Sequence, residues 1–169
     1  MVARFPRVIL TVPFVPQRNH GECLVACAAM ALAHLGRQVD YQSLARAIDL
    51  TQIGTPFPNI RRLASSDLHV HVRHGDLQVL YDHLQRGRPC IASVQADHLP
   101  HWRGEDFAHA VVVVGMDEDF VIYMILLSPS IRCALGWVIS TLPGWSAMRN
   151  SLCSHLHKWL TELCSAINA

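Results

Sequence analysis

Cys23 stands where a polar stretch, Gln17-Arg18-Asn19-His20-Gly21-Glu22, gives way to an apolar run, Cys23 to Leu35, that closes at Gly36. The run reads as a buried helix with Cys23 in its first turn, at the positive end of the helix dipole, where a thiolate is favoured. Far downstream His109 begins His-Ala-Val-Val-Val-Val-Gly, a strand that could carry an imidazole to that thiol. Gln17 lies six residues before the thiol. A Cys at a helix start, a His at a strand start and a Gln six residues before the Cys supply a nucleophile, a base and an oxyanion donor.

Plainer readings compete with this one. A Cys in an apolar helix is more often a small hydrophobe, and Cys27, one turn further in, reads that way. A lone His before a strand is more often structural, and the chain has 11 His. A metal site could draw on Cys23, Cys27 and some of His20, His34 and His109. The two thiols share a helix face at i, i+4, yet no second ligand cluster follows at a zinc spacing. His98 and His101 flank Pro100 on a loop that reads as solvated, and Trp102 beside them could wall a substrate cleft. No metal or organic cofactor is implied.

The elements needed to position Cys23 and His109 are legible in order. Val8 to Val12 is strand-like and leads through Pro13 and Pro16, which force an extended approach to the Cys loop. Asp40 can cap a helix over Tyr41 to Ile48. Gly54-Thr55-Pro56-Phe57-Pro58-Asn59 is a loop, and Ile60 to Leu63 a short helix. His69 to Val72 alternates like a half-buried strand. Asp76 caps a helix with Leu77, Leu80, Tyr81 and Leu84 on one face, ending at Gly87. Pro89 to Val94 is a strand, His98 to Phe107 a polar loop, and the pair 108–115 and 120–125 turns at Asp117-Glu118-Asp119. Helices first and strands second make an α+β order with a cleft between the halves.

Composition narrows the function classes. At 169 residues, 51% hydrophobic and 16% charged, the chain suits one packed domain with a substantial core. A net charge of +1 without a basic run gives no sign of nucleic-acid binding. Six Cys without regular spacing suit reduced thiols in a cytoplasmic setting. The N-terminal apolar run is broken by Pro13 and makes no signal peptide. The acids at 117–119 interrupt the longest apolar region, so no membrane span is expected.

Val-Pro-Phe-Val-Pro-Gln-Arg-Asn-His-Gly-Glu-Cys-Leu-Val-Ala-Cys-Ala-Ala-Met resembles the nucleophile segment of bacteriocin-processing, double-glycine-leader papain-like cysteine peptidases, in particular their stand-alone relatives. The resemblance extends to Gly54-Thr55-Pro56-Phe57, to the Gly87-Arg88-Pro89 turn and to His109-Ala110-Val111-Val112-Val113-Val114-Gly115, covering roughly residues 10 to 123. It implies a papain-like α+β fold: an N-terminal helical part and an antiparallel sheet, with the C-terminal strands missing or replaced. It further implies Cys23 as nucleophile, His109 as general base and acid, and Gln17 with the Cys23 N–H as oxyanion donors. The partner implied is a peptide or related amide, hydrolysed through an acyl-thioester intermediate. Acyl transfer by the same Cys–His pair, or a non-catalytic remnant domain, are the other classes.

That family also has an Asp, in an Asp-Pro pair after the strand that follows the His, which orients the imidazole. No counterpart exists here, because 12 of the 13 acids lie in the first 119 residues and the last is Glu162. Read one nucleotide earlier, the codons for Met124 and Ile125 must give GAT, an Asp, and those that follow can give Pro. Residues 1–123 are therefore expected to be an incomplete peptidase-like domain, inactive as written, and 124–169 a non-homologous tail that is out of frame. The alternative is a genuine divergent tail with a helix over Ser154 to Ile167.

Overall fold

Helix α1, Cys23–His34, carries no charged residue apart from the terminal His34, and eight of its 12 residues are buried. Five alanines at positions 26, 28, 29, 31 and 33 keep it thin enough for a sheet to approach closely. Its end is set by Gly36 at φ +73°, where the Arg37 N–H returns to the Leu32 carbonyl at 2.9 Å and the Gly36 N–H to Ala33 at 3.0 Å. That left-handed closure is a position where glycine costs least.

The computed structural model describes residues 5–96 and 106–124, together with the backbone of two later strands at 132–136 and 164–168. Helix α2, Tyr41–Ala47, starts where the Asp40 carboxylate accepts the Ser43 N–H at 2.8 Å. Helix α3, Leu77–Gln85, starts the same way, with Asp76 accepting from Val79 at 2.9 Å. Both caps were expected from sequence. The short helix after the Gly54 loop is a 3-10 turn over Phe57–Leu63, begun by Pro58.

Seven described strands form one antiparallel sheet: β1 Val8–Ile9, β2 His69–Arg73, β3 Cys90–Gln95, β4 Ala108–Met116, β5 Phe120–Met124, β6 Arg132–Gly136 and β7 Cys164–Asn168. They run in the order β2-β7-β3-β4-β5-β6, with β1 pairing β4. The expected sheet thus has strands from the compositionally different tail. Of the two outcomes anticipated for the last strands, missing or replaced, strands are present. A helix reaching Ile167 is corrected, because residues 164–168 pair with β2 and β3. The loop residues His98, His101 and Trp102 lie outside the described residues.

Two apolar layers sandwich the sheet. Ala110, Val112 and Val114 of β4 join Ile91 and α1 in one cluster. Val111 and Val113 join Cys90, Ala92 and the α3 residues Leu80, Tyr81 and Leu84 in the other. A strand covered on both faces needs a continuous apolar run rather than alternation, which explains Val111 to Val114. At Gly115 the β4–β5 register shifts and β1 crosses over, with Leu10 N–H donating to the Val114 carbonyl at 2.7 Å. A Cβ on Gly115 would lie 2.6 Å from the Val8 carbonyl oxygen. Gly115→Ala should therefore displace β1 and lower the urea midpoint by the equivalent of about 2 kcal/mol. A midpoint within error of the parent would show that β1 yields freely.

Candidate active site

The polar loop before Cys23 is held by backbone contact as well as by side chains. Gly21, at φ +82°, presses against a tight hairpin closed by Thr51 and Gly54, which exchange N–H···O bonds of 3.0 and 3.1 Å. A Cβ on Gly21 would meet the Gly54 nitrogen at 2.8 Å and its Cα at 3.0 Å. The pairing explains why a glycine before the thiol and the distant Gly54-Thr55-Pro56 segment belong together. Thr55 Oγ1 and Asn59 Nδ2 then tie that segment to the Ile48 carbonyl at 2.6 and 3.0 Å.

Cys23 opens α1 as expected, half-buried. The backbone N–H groups of Ala110, Leu24 and Cys23 itself lie close enough to the thiol to favour its ionised form. Two of these are first-turn helix donors that a capping side chain would otherwise occupy, and Glu22 at the N-cap makes no such bond. The Ala110 donor comes from β4, so the thiol sits one residue from His109. Gln17 is in the same loop, and its Oε1 is buried without a hydrogen-bond donor among the described residues.

His109 is 6% exposed. Alternation groups it with Val111 and Val113, opposite the residues that meet α1, and it pairs across β3 with Val94. The Phe107 ring approaches it edge-on, with centroids 6.0 Å apart. The described part of β5 ends at Met124 opposite Val112, and Ala110, which bonds the sulfur, lies beyond that end. The start of α1 thus adjoins the beginning of β4, where His109 is the neighbour of Ala110 along the strand.

The electrostatics differ from the sequence expectation. Burial pushes the Cys23 thiol up, and the three N–H donors only partly offset it. Burial takes His109 down to about 4. Desolvation thus favours the neutral thiol and the neutral imidazole, against the thiolate that the helix dipole suggested. Cys27 is fully buried, and burial followed by the Cys23 charge drives it higher still.

The alternative ligand set is dispersed. His34 is at the far end of α1, with ring nitrogens 2.9 Å from the Thr11 carbonyl and 2.8 Å from that of Gly87. Sequence reasoning passed over Glu22, Tyr41 and Arg18. Glu22 accepts from the Arg18 N–H at 3.1 Å, the Asn19 N–H at 3.1 Å, Asn19 Nδ2 at 2.9 Å and the Tyr41 hydroxyl at 3.0 Å. The Arg18 guanidinium lies 4.2 Å over the Tyr41 ring. A carboxylate three and four residues after Asn19 and Arg18 was the available signal.

Comparison with known proteins agrees with this geometry. The model of the Peptidase_C39 like family matches residues 9–125. The chain is 33% identical over 109 residues to the probable microcin-H47 secretion/processing ATP-binding protein MchF of Escherichia coli, covering 64% of this chain but 14% of that protein. The crystal structure of a double glycine motif protease from an AMS/PCAT transporter, in complex with the leader peptide, superimposes with a TM-score of 0.62 at 15% identity. That match covers 99% of this chain and 98% of the other. The peptidase domain of Streptococcus ComA, a bi-functional ABC transporter, gives 0.61 at 17% identity, over 91% and 96%. At these identities the structural likenesses establish the fold. Among the described residues no helix is long and apolar enough to cross a membrane.

Two measurements follow from the electrostatics. Iodoacetamide should label Cys23 before Cys27 and Cys90, with a rate that climbs through pH 9 rather than levelling below pH 7. A plateau below pH 7 would show a thiolate already formed. For His109, the unfolded chain takes its proton near 6.5 and the folded chain near 4. The neutral ring's contribution is therefore complete above about pH 6.5 and is lost as the pH falls toward 4, worth up to roughly 3 kcal/mol. Urea midpoints at pH 7 and pH 4.5 should diverge more in the parent than in His109→Gln, and equal divergence would refute this.

Proposed function

The chain belongs to the Peptidase_C39 like family, and on that premise we propose that it hydrolyses peptide or related amide bonds, with Cys23 as nucleophile, His109 as base and acid, and Gln17 as oxyanion donor. The observation that supports this reading is the approach of the Ala110 backbone, one residue from His109 in β4, to the Cys23 thiol at the start of α1.

The thiol proton passes to the imidazole as sulfur attacks the carbonyl carbon. The carbonyl π pair becomes an oxyanion facing the Cys23 N–H and the Gln17 amide. When this intermediate collapses, the C–N bond breaks, the imidazolium gives its proton to the leaving amine, and an acyl thioester remains. Water then repeats the sequence and releases the acid, restoring the neutral pair. A base held near 4 accepts a proton reluctantly at rest, so transfer must be concerted with attack or follow substrate binding.

A relative described as a double glycine motif protease suggests the first substrates to try. A fluorogenic amide ending in Gly-Gly should be cleaved by the parent and not by Cys23→Ala. Gln17→Ala should lower turnover by about two to three powers of ten while leaving the melting temperature in place. An unchanged rate would remove Gln17 from the mechanism. Adding amines to the same assay separates hydrolysis from acyl transfer.

The same reading treats residues from about 124 onward as out of frame, which is supported by the family match ending at residue 125. Lack of the orienting Asp would then hold turnover down by up to about four powers of ten. DNA read across codons 119 to 125 tests this, and an uninterrupted frame would overturn it.

A further inference from the structure

We infer that Glu22 is a positioning residue for the oxyanion loop: its carboxylate fixes the segment that carries Gln17 and keeps its own charge turned away from the mouth of α1. The inference rests on the proposed role of Gln17 and extends it to a residue outside the reacting groups.

Among the described residues no donor fixes Gln17 through its own amide oxygen Oε1. Something else must hold the loop. Glu22 follows that loop directly, and one of its oxygens gathers the Arg18 N–H, the Asn19 N–H and the Tyr41 hydroxyl, while the other takes Asn19 Nδ2. The first two donors belong to the residues immediately after Gln17. Tyr41 is 7% exposed at the start of α2, so the loop is anchored to a second element of the core. The Arg18 guanidinium closes over the same ring at 4.2 Å.

The orientation matters as much as the number of bonds. A carboxylate at an N-cap ordinarily turns inward to bond the first-turn N–H groups. Here it makes no such bond, and the N–H groups of Cys23 and Leu24 meet the sulfur instead. An inward Glu22 would compete for the Leu24 N–H and repel charge developing on the sulfur. Its four outward bonds remove that competitor. They also hold the carboxyl below its ordinary range, although partial burial pushes the other way.

A probe that needs no turnover tests this in the full chain. N-acetyl-Gly-glycinal, labelled with 13C at the aldehyde, adds the Cys23 sulfur to its carbonyl carbon. The thiol proton ends on the former carbonyl oxygen, giving a hemithioacetal whose oxygen occupies the oxyanion site. Its bound fraction is read by 13C NMR. Glu22→Ala should weaken the adduct about tenfold when Gln17 is present and less than twofold in a Gln17→Ala background, since a residue acting through another loses its effect when that other is gone. Glu22→Gln should restore parent affinity, because its amide oxygen can accept the same three donors while the Asn19 amide flips. Tyr41→Phe, which removes one of the four bonds, should fall between and serves if Glu22→Ala does not fold.

Equal losses in both backgrounds, or Gln as weak as Ala, would overturn the inference while leaving Gln17 as oxyanion donor. If Gln17→Ala alone leaves the adduct unchanged, the Gln17 role and this inference fall together. If no Cys23-dependent adduct forms, the nucleophile reading itself has failed.

Discussion

The contact on which the rest of the structure depends is the docking of α1 against β4. Eight of the helix's 12 residues are buried, and its alanines let Ala110, Val112 and Val114 approach. Burying so many apolar side chains fixes the axis and rotation of the helix, and the position of its first residue follows. The Ala110 N–H meets the Cys23 sulfur because the helix is seated where it is. The second layer, α3 on the other face, holds β4 from behind through Val111 and Val113. Packing on two faces of one strand thus sets where the helix lies.

That placement has an electrostatic cost. A thiol and an imidazole at the margin of an apolar core both lose solvation, so one is driven up and the other down. Ionising either in the resting state works against burial, and the helix end supplies only a partial compensation. Charge is expected to form when a substrate supplies it with a destination. The polar loop shows the complementary strategy, with Glu22 surrounded by four donors so that one fixed charge is fully engaged beside a site whose own charges are transient.

Much of this was legible in the chain. The run from Cys23, the Asp40 and Asp76 caps, the glycine closures and the strands around His109 depend on local chemistry and appeared within a residue or two. Matching the family over 9–125 also agrees with a resemblance read over roughly 10 to 123. What escaped were relations between distant segments. The Gly21–Gly54 contact, the bond from Ala110 and the Glu22–Tyr41 link leave no periodicity behind. The effect of burial on the two groups could not be weighed in advance, because a dipole can be placed from sequence, whereas desolvation depends on what packs around the site.

The position of β7 has a consequence for the order in which the molecule can be assembled. This strand comes late in the chain, yet it lies between β2 and β3, and β2 reaches the sheet through it. During synthesis, residues 69–73 and 90–95 leave the ribosome long before the strand that joins them. The β3–β4–β5 unit, whose strands follow one another in sequence, can form early, but the flank of β3 stays open until residue 168 has emerged. A long-separation pairing of this kind slows folding and leaves an unpaired edge exposed meanwhile. The half of the sheet that bears His109 is therefore poised to mature first, and closure of its other side waits on the chain's last strand.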